Sequence, residues 1–386
     1  MSHLVINNSF METRRSADSQ GMKFIHSGDW QIGMRAVHAG DAAKAVRAAR
    51  LTTVEQICQL ASNEAVDFLL LAGDTFESNA VDRELVERVA ALLGGTGCPV
   101  YVLPGNHDPI QPGCVWEHRA WRSAGNVTIL SNASPVNVAG GVLLPCPLRT
   151  RRSQEDPTAW IAPTAKSDVI RLVAAHGNAG EIMAEDGGFP IQLDTPARTG
   201  ADYVALGHWH STLLLGGRMA YSGTPETTRF GETDSGNVLV VSIAAPGTQP
   251  EIRKERTGQL RWRQVGTGET ITAPGRLAEI ARALAQAPEQ DKTLVEVVLS
   301  GLLFECDQDE LARIEKACAR YLHARIDRRG LRPAPEDHGW IDHLPSGSAR
   351  IAADRLKTTA AGKGLEAEIA TQALLELYAF AQEVRL

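Results

Sequence analysis

In three places along the first third of the chain, a short apolar segment ends in glycine and polar side chains follow at once. Apolar segments of this length, bounded by glycine and proline, predict buried β-strands. Helical spacing of apolar residues separates them, from Ala42 to Ala61 and from Val81 to Leu93. This alternation predicts parallel strands that are covered on both faces. The strands and their endings are Lys23–Ser27 before Gly28-Asp29, Val66–Leu71 before Gly73-Asp74, and Cys98–Val102 before Leu103-Pro104-Gly105-Asn106-His107-Asp108.

Two later strands end in the same way. Leu172–Ala175 leads into His176, and Tyr203–Leu206 leads into Gly207-His208-Trp209-His210. In open α/β sheets, sites form beyond the carboxyl ends of strands, so we expect these five clusters to converge.

The spacing within the clusters also indicates direction. Residues i and i+2 of an extended segment share a side, so Gln31 is expected beside Asp29, and His210 beside His208. The tryptophans between them, at positions 30 and 209, are expected to point away from the site and to pack in the interior.

The chain of 386 residues is long enough for two or three domains. We predict an N-terminal arm over residues 1–21, a catalytic domain over 22–265 and a smaller α+β domain over 266–386. The second domain is expected to contain a strand over Thr293–Ser300 and helices over Asp307–Arg325 and Leu365–Val384. The apolar face of the last helix could pack within the domain, form a homodimer or dock on a partner.

Composition narrows the class of protein. The net charge is −7, so no overall basic field favours nucleic acid, although a local patch can reverse the potential. Six cysteines are scattered without a Cys-x-x-Cys pair, which is typical of reduced, intracellular proteins and predicts a cytoplasmic location. No apolar run is long enough to cross a membrane, and no membrane partner is expected.

The five clusters together supply carboxylate, amide and imidazole donors but no thiolate. Such donors suit divalent ions such as manganese, iron or zinc. Each cluster has a plainer explanation, because an aspartate after a strand often caps a helix and a single histidine is often a core residue. Five such clusters in this order are better explained by a metal site.

The ordered set resembles the calcineurin-like metallophosphoesterases over residues 22–243. Within that superfamily, Phe24-Ile25-His26-Ser27-Gly28-Asp29-Trp30 and Tyr221-Ser222-Gly223-Thr224-Pro225-Glu226 resemble the SbcD-type subunit of DNA-repair exonucleases. The resemblance implies a β-sandwich flanked by helices with a smaller C-terminal α+β cap. It also implies a metal-dependent phosphodiesterase, a DNA exonuclease or endonuclease that works in DNA repair with an SbcC-like coiled-coil ATPase.

The resemblance also implies roles for individual residues. Two divalent ions would bind, with manganese preferred and iron, zinc or magnesium as alternatives. His107 would act on the leaving oxygen, and Asp108 would orient its imidazole. The implied ligands are Asp29, Gln31, Asp74 and His210 for one ion, and Asp74, Asn106, His176 and His208 for the other.

Gln31 departs from the family pattern, which has histidine at this position. An amide oxygen is an uncharged and weaker donor, so we expect a looser first site that favours a harder ion. The alternatives are that the Gln31 carbonyl binds with little change, or that the protein holds one metal or is inactive.

The substrate is less constrained than the metal site. Arg149, Arg151, Arg152 and Arg229 are candidates for contacts with substrate phosphates, since the guanidinium fork suits them, although a solvated loop would also explain them. Two other functions remain open. One is hydrolysis of small phosphodiesters, cyclic nucleotides or phosphotriesters, and the other is a degenerate protein that binds DNA or the ATPase without cleavage.

Overall fold

The computed structural model describes residues 21–164, 167–180 and 188–384, so residues 1–20 of the predicted N-terminal arm lie outside the described residues. The helices in this part are α1 (Ala43–Asn63), α2 (Arg83–Gly94), α3 (Thr195–Thr199), α4 (Arg276–Gln286), α5 (Gln308–Cys318), α6 (Ser348–Ala360) and α7 (Leu365–Val384). The strands are β1 (Met22–Ser27), β2 (Phe68–Ala72), β3 (Val100–Leu103), β4 (Val127–Ile129), β5 (Val136–Val138), β6 (Gly141–Pro145), β7 (Ile170–His176), β8 (Asn178–Ala179), β9 (Pro190–Ile191), β10 (Tyr203–Gly207), β11 (Leu213–Leu215), β12 (Met219–Tyr221), β13 (Asn237–Ile243), β14 (Glu251–Arg256), β15 (Arg261–Val265), β16 (Thr293–Leu303) and β17 (His323–Pro333).

The chain divides into two compact units. The first contains the described residues up to Met34, together with Arg50–Glu226 and Thr233–Gly258. The second contains Arg35–Ala49, Thr227–Glu232 and the residues from Gln259 onward. The predicted division of the chain between residues 265 and 266 remains a prediction.

The first unit contains two six-stranded sheets. The order of the first sheet is β14-β13-β1-β2-β3-β4, in which β1 to β4 are parallel and β13 and β14 are antiparallel to their neighbours. The order of the second is β11-β12-β10-β7-β6-β5, with parallel pairing from β12 to β6 and antiparallel strands at both edges.

The core of the first unit lies between the two sheets. Phe24 and Phe68 stack at 4.9 Å between ring centroids and pack with Leu172 of the second sheet. The next residues along the same strands, Ile25 and Leu69, face the opposite side, where they pack with α1 and α2. Because β2 is covered on both faces, its sequence is apolar throughout. β1 is also largely buried, although it includes Lys23, His26 and Ser27. The predicted α/β class, with sheets flanked by helices, is confirmed.

The second unit is built on three parallel strands in the order β15-β16-β17. Leu277, Ile280 and Leu284 of α4 and Ile314 of α5 pack with apolar residues of β16 such as Val297. A separate small core joins α6 and α7. None of the described helices combines the length and the apolarity that a membrane crossing requires.

One predicted element of the second unit is wrong. The helix expected over Asp307–Arg325 ends at Cys318, and β17 begins at His323. The sequence of β17 is polar and lacks a strand-like apolar pattern, yet its backbone pairs with the buried strand β16 over nearly its whole length. The extended conformation of this segment is therefore stabilised by pairing with a buried neighbouring strand, because the strand preference of a sequence depends strongly on its context.

We expect Phe68→Ala to lower the free energy of unfolding by about 3–5 kcal/mol, because Phe68 is fully buried between the sheets. Phe380→Ala is the matched control, since that side chain is 55% exposed, and its effect should stay within about 0.5 kcal/mol. Urea denaturation of both variants measures the difference. Equal effects would contradict the shared core between the two sheets.

Candidate metal centre

The predicted strand ends meet within the first unit. β1, β2 and β3 are neighbours in the first sheet, and β7 and β10 are neighbours in the second, where Gly207 lies opposite His176. The backbone amide of His208 donates to both carboxylate oxygens of Asp29 at 3.0 Å. This contact joins the end of a strand in one sheet to the end of a strand in the other.

Asp29, Asp74 and His176 form a buried cluster. One ligand atom from each residue lies within 4.8 Å of the others, and no side chain of the three is more than 2% exposed. Nε2 of His176 lies 3.4 Å from Oδ2 of Asp74. Nδ1 of His176 donates to the Ala72 carbonyl at 2.9 Å, so Nε2 is the ring nitrogen that faces the cluster.

Asn106 connects two imidazoles to this cluster. Its side-chain oxygen lies 2.8 Å from Nε2 of His176 and 3.0 Å from Nδ1 of His208. The two rings are 5.2 Å apart between centroids and nearly perpendicular. An amide oxygen and two ring nitrogens therefore face a common point, which is the arrangement that a metal ligand set requires.

Gln31 contacts one of the two carboxylates, and His210 influences the pKa of the other. Nε2 of Gln31 donates to Oδ2 of Asp74 at 3.1 Å, so the amide group of this residue contacts Asp74 directly. Burial raises the pKa of Asp29 to about 6, and the nearby imidazoles of His176 and His210 act against that rise. Six of the predicted ligands are thus joined by hydrogen bonds or lie within 4.8 Å of one another, namely Asp29, Gln31, Asp74, Asn106, His176 and His208. The role of these residues and of His210 as metal ligands, and their assignment to individual ions, remain predictions.

The charges of the cluster fit a bound cation. Burial alone would raise the pKa of Asp74, but the imidazoles of His176 and His107 hold it below its usual range. Burial alone would lower the pKa of His176, yet Asp74 and Asp29 raise it to about 9. Two buried carboxylates thus attract positive charge, and oxygen and imidazole donors without a thiolate suit a divalent ion.

His107 lies at the exposed edge of the cluster. Its backbone amide donates to Oδ1 of Asp74 at 2.8 Å, and Nδ1 donates to the Glu77 carbonyl at 2.9 Å. Nε2 is 3.9 Å from Oδ2 of Asp74, and 41% of the side chain is exposed. His107 is therefore held beside the cluster with its ring open to solvent.

Asp108 contacts backbone rather than the imidazole of His107. Its carboxylate accepts from the amide of Gly105 at 2.7 Å and from the amide of Phe76 at 2.9 Å. These bonds join the loop after β3 to the loop after β2. The predicted orienting group for His107 is thus replaced by the Glu77 carbonyl, and Asp108 fixes the loop that carries His107.

Several residues of the site have an unusual backbone conformation. φ is positive at Asp29 (53°), Gln31 (51°), Asp74 (51°) and His208 (105°). Such conformations cost roughly 1–3 kcal/mol each for residues other than glycine and cluster at functional sites. The positive φ values turn the backbone sharply where the strands end, and this turn brings the side chains toward the cluster.

The candidate phosphate-binding arginines lie apart from these contacts. Arg149 donates to the Ser131 carbonyl at 3.1 Å, and Arg152 is exposed. Arg229 belongs to the second unit, where it lies 3.6 Å from Glu232. Their predicted roles in substrate binding remain predictions, and for Arg149 the structure shows a loop-stabilising contact.

The two tryptophans behave differently from one another. Trp30 is 2% exposed and donates to Ser27 Oγ at 2.8 Å, as expected for a packed side chain. The prediction for Trp209 is wrong, because this side chain is 41% exposed. It follows the last residues of β10, where the chain leaves the sheet and alternation no longer determines burial.

Sequence reasoning missed two groups that position the site. The Glu77 carbonyl holds His107, and carbonyls leave no signal in a sequence. The Tyr221 hydroxyl donates to the Gly177 carbonyl and accepts from the amide of Ala179, both at 2.7 Å, and so fixes the loop after His176. Tyr221 begins one of the two segments on which the family resemblance depends, and that was its only signal.

Residues 22–212 match the calcineurin-like phosphoesterase family. The chain carries a calcineurin-like phosphoesterase domain. The candidate metal centre lies within the part of the chain that matches the family.

Two curated relatives each match somewhat more than half of this chain. The SbcD component of the SbcCD nuclease of Escherichia coli K12 is 26% identical over 259 residues, which cover 55% of this chain and 62% of the relative. The uncharacterized metallophosphoesterase YhaO of Bacillus subtilis 168 is 27% identical over 238 residues, which cover 57% of each chain. The chain thus spans about three fifths of the length of these relatives.

We expect Gly105→Ala to abolish metal binding at the phosphoesterase domain while the protein stays folded. A Cβ at this position would collide with Oδ1 and the amide nitrogen of Asp74 and would displace that carboxylate. Gly125→Ala is the matched control, because no atom lies within 4 Å of the added methyl group. Manganese bound per chain and circular dichroism measure the outcome. Unchanged metal binding in Gly105→Ala would contradict the central position of Asp74.

Proposed function

We propose that this protein hydrolyses phosphodiester bonds with two divalent ions and that its substrate is DNA. Manganese is the preferred ion for both sites. The observation that carries the proposal is an exposed imidazole, His107, held beside a buried cluster of carboxylates and imidazoles. The first ion would be held by Asp29, Gln31, Asp74 and His210. The second would be held by Asp74, Asn106, His176 and His208.

Bound divalent ions supply positive charge for the phosphoryl oxygens and lower the pKa of a nucleophilic water. The protein supplies the geometry and the proton transfer. The Glu77 carbonyl accepts from Nδ1 of His107, so a proton for a leaving oxygen would come from Nε2 when the ring is an imidazolium that carries a proton on both nitrogens. Asp108 keeps this loop in place through the amides of Gly105 and Phe76.

Gln31 is expected to weaken the first of the two metal sites. Its Nε2 donates to Oδ2 of Asp74, whereas an imidazole at this position would offer a nitrogen lone pair. This hydrogen bond also occupies a lone pair of the Asp74 carboxylate that could otherwise bind the metal ion. We therefore propose a tighter second site and a weaker first site that prefers a hard ion such as manganese.

Gln31→His should raise the manganese affinity of the weaker site and leave the tighter site unchanged, because it adds a ring-nitrogen donor. Isothermal titration calorimetry of the full chain resolves the two sites. Gln286→His, at an exposed position on the second unit, controls for a histidine that binds metal nonspecifically. Equal stoichiometry and equal affinities in Gln31→His and the wild type would refute the weak first site.

DNA is proposed as the substrate because the Escherichia coli relative is named as part of a nuclease. The same name supports a partner protein, which we propose to be an SbcC-like coiled-coil ATPase, and a homodimer of this chain is compatible with such an assembly. The proposed role in DNA repair rests on the resemblance of Phe24–Trp30 and Tyr221–Glu226 to the SbcD-type subunit. The net charge of −7 favours a second candidate, the hydrolysis of small phosphodiesters, which would not need a basic surface.

We expect His107→Ala to lower the manganese-dependent release of nucleotides from linear DNA by about 10²–10⁴-fold, because it removes a proton donor. Its bound manganese should remain at the wild-type level, since His107 is not a proposed ligand. His118→Ala, a substitution in the same unit, should retain activity.

The wild-type result also separates the candidate functions. Cleavage of a small aryl phosphodiester without cleavage of DNA would favour the second candidate. DNA binding without turnover with any divalent metal would mean a protein that binds but does not cleave. Full activity of His107→Ala would contradict the assigned proton donor.

A further inference from the structure

A groove lies between α4 and α5 in the second unit and encloses about 360 Å³. Its floor contains Ala278, Ala281 and Ala285 from α4 and Ala317 from α5. Both helices follow parallel strands of one sheet, so they lie side by side with their apolar faces on that sheet. The small alanine side chains leave room for a ligand to approach both helix backbones.

Exposed cationic side chains border this groove. Arg282 comes from α4, Arg313 and Lys316 come from α5, and Arg320 follows two residues after α5 ends. Arg313 is paired with Glu310 at 2.7 Å. Within the described part of the chain, Arg282, Lys316 and Arg320 have no ion-pair partner.

The spacing places these charges together. Arg313, Lys316 and Arg320 follow one another at intervals of three and four residues, which puts them on one face over about 10 Å. The dipole of α5 favours cations around its last turn, on any side of the helix. It therefore does not explain why the cationic side chains border the groove. Three unpaired cations at one groove, those of Arg282, Lys316 and Arg320, indicate an anionic ligand in a chain with a net charge of −7.

The chemistry of the floor favours one kind of anion. An acidic protein helix binds through large apolar side chains that fill deep pockets, and a floor of alanines offers none of that depth. A nucleic-acid backbone binds to a row of cationic side chains on a surface that its phosphates can approach closely, and the groove provides both features. We infer that this groove is an exosite for the phosphate backbone of nucleic acid. The inference rests on the proposed function only for the choice of polymer.

The test uses the full chain and a fluorescein-labelled DNA duplex of about 30 base pairs, with EDTA present so that no cleavage occurs. The variant combines Arg282→Gln, Lys316→Gln and Arg320→Gln. The matched control combines Arg355→Gln, Lys357→Gln and Lys363→Gln, which removes the same charge from other exposed positions of the second unit. Affinity is measured at several salt concentrations between about 50 and 200 mM.

We expect the groove variant to lose roughly tenfold or more in DNA affinity at low salt, and its slope of log affinity against log salt to become shallower by about 2 to 3. The control should keep the wild-type slope. Hydrolysis of a small aryl phosphodiester with manganese should be equal in all three proteins, because the groove lies outside the metal centre.

Equal slopes in the groove variant and the control would overturn the inference. A loss of poly-glutamate binding without a loss of DNA binding would also overturn it, in favour of an acidic protein partner. If no protein hydrolyses any phosphodiester but the groove variant still loses DNA affinity, the proposed function fails and the exosite stands. Far-ultraviolet circular dichroism confirms that each variant is folded before binding is compared.

Discussion

Two buried carboxylates, those of Asp29 and Asp74, impose the constraint on which the rest of the site depends. Each is at most 2% exposed, and a buried carboxylate is costly unless hydrogen bonds and opposite charge compensate it. The backbone amide of His208 compensates Asp29, and the backbone amide of His107 compensates Asp74. The remaining negative charge raises the pKa of His176, and the same charge would hold a divalent ion.

The scaffold makes this arrangement possible because it fixes the chain on both sides of the site. Asp29 and Asp74 come from parallel neighbours in the first sheet, and the core between the sheets holds that sheet against the strands that carry His176 and His208. Glycine is required at position 105, because any Cβ would occupy the place of the Asp74 carboxylate. A rigid core thereby supports strained backbone at the ligand positions, where positioning matters most.

The two units differ in how they use charge. In the first, acidic and imidazole groups are buried together and define a small site for cations. In the second, the cations of the α4–α5 groove are exposed and define a surface for a long anion. The net charge of the whole chain does not predict the electrostatic potential at either site, because that potential is set by the charged groups within a Debye length of the ligand. A negative total is therefore compatible with a locally basic surface.

The sequence by itself determined the strand ends and the identity of the clustered side chains. Parallel neighbouring strands present their carboxyl ends at one edge of a sheet, so Asp29 and Asp74 could be expected to lie together. His176 joins them because the second sheet packs on the first. Only the tertiary structure decided which atoms these groups contact. The partners of Asp108 are backbone amides, the support of His107 is a backbone carbonyl, and β17 is a strand because β16 pairs with it. Backbone groups are the same at every position of the chain, so their pairing becomes visible only when distant segments are brought together.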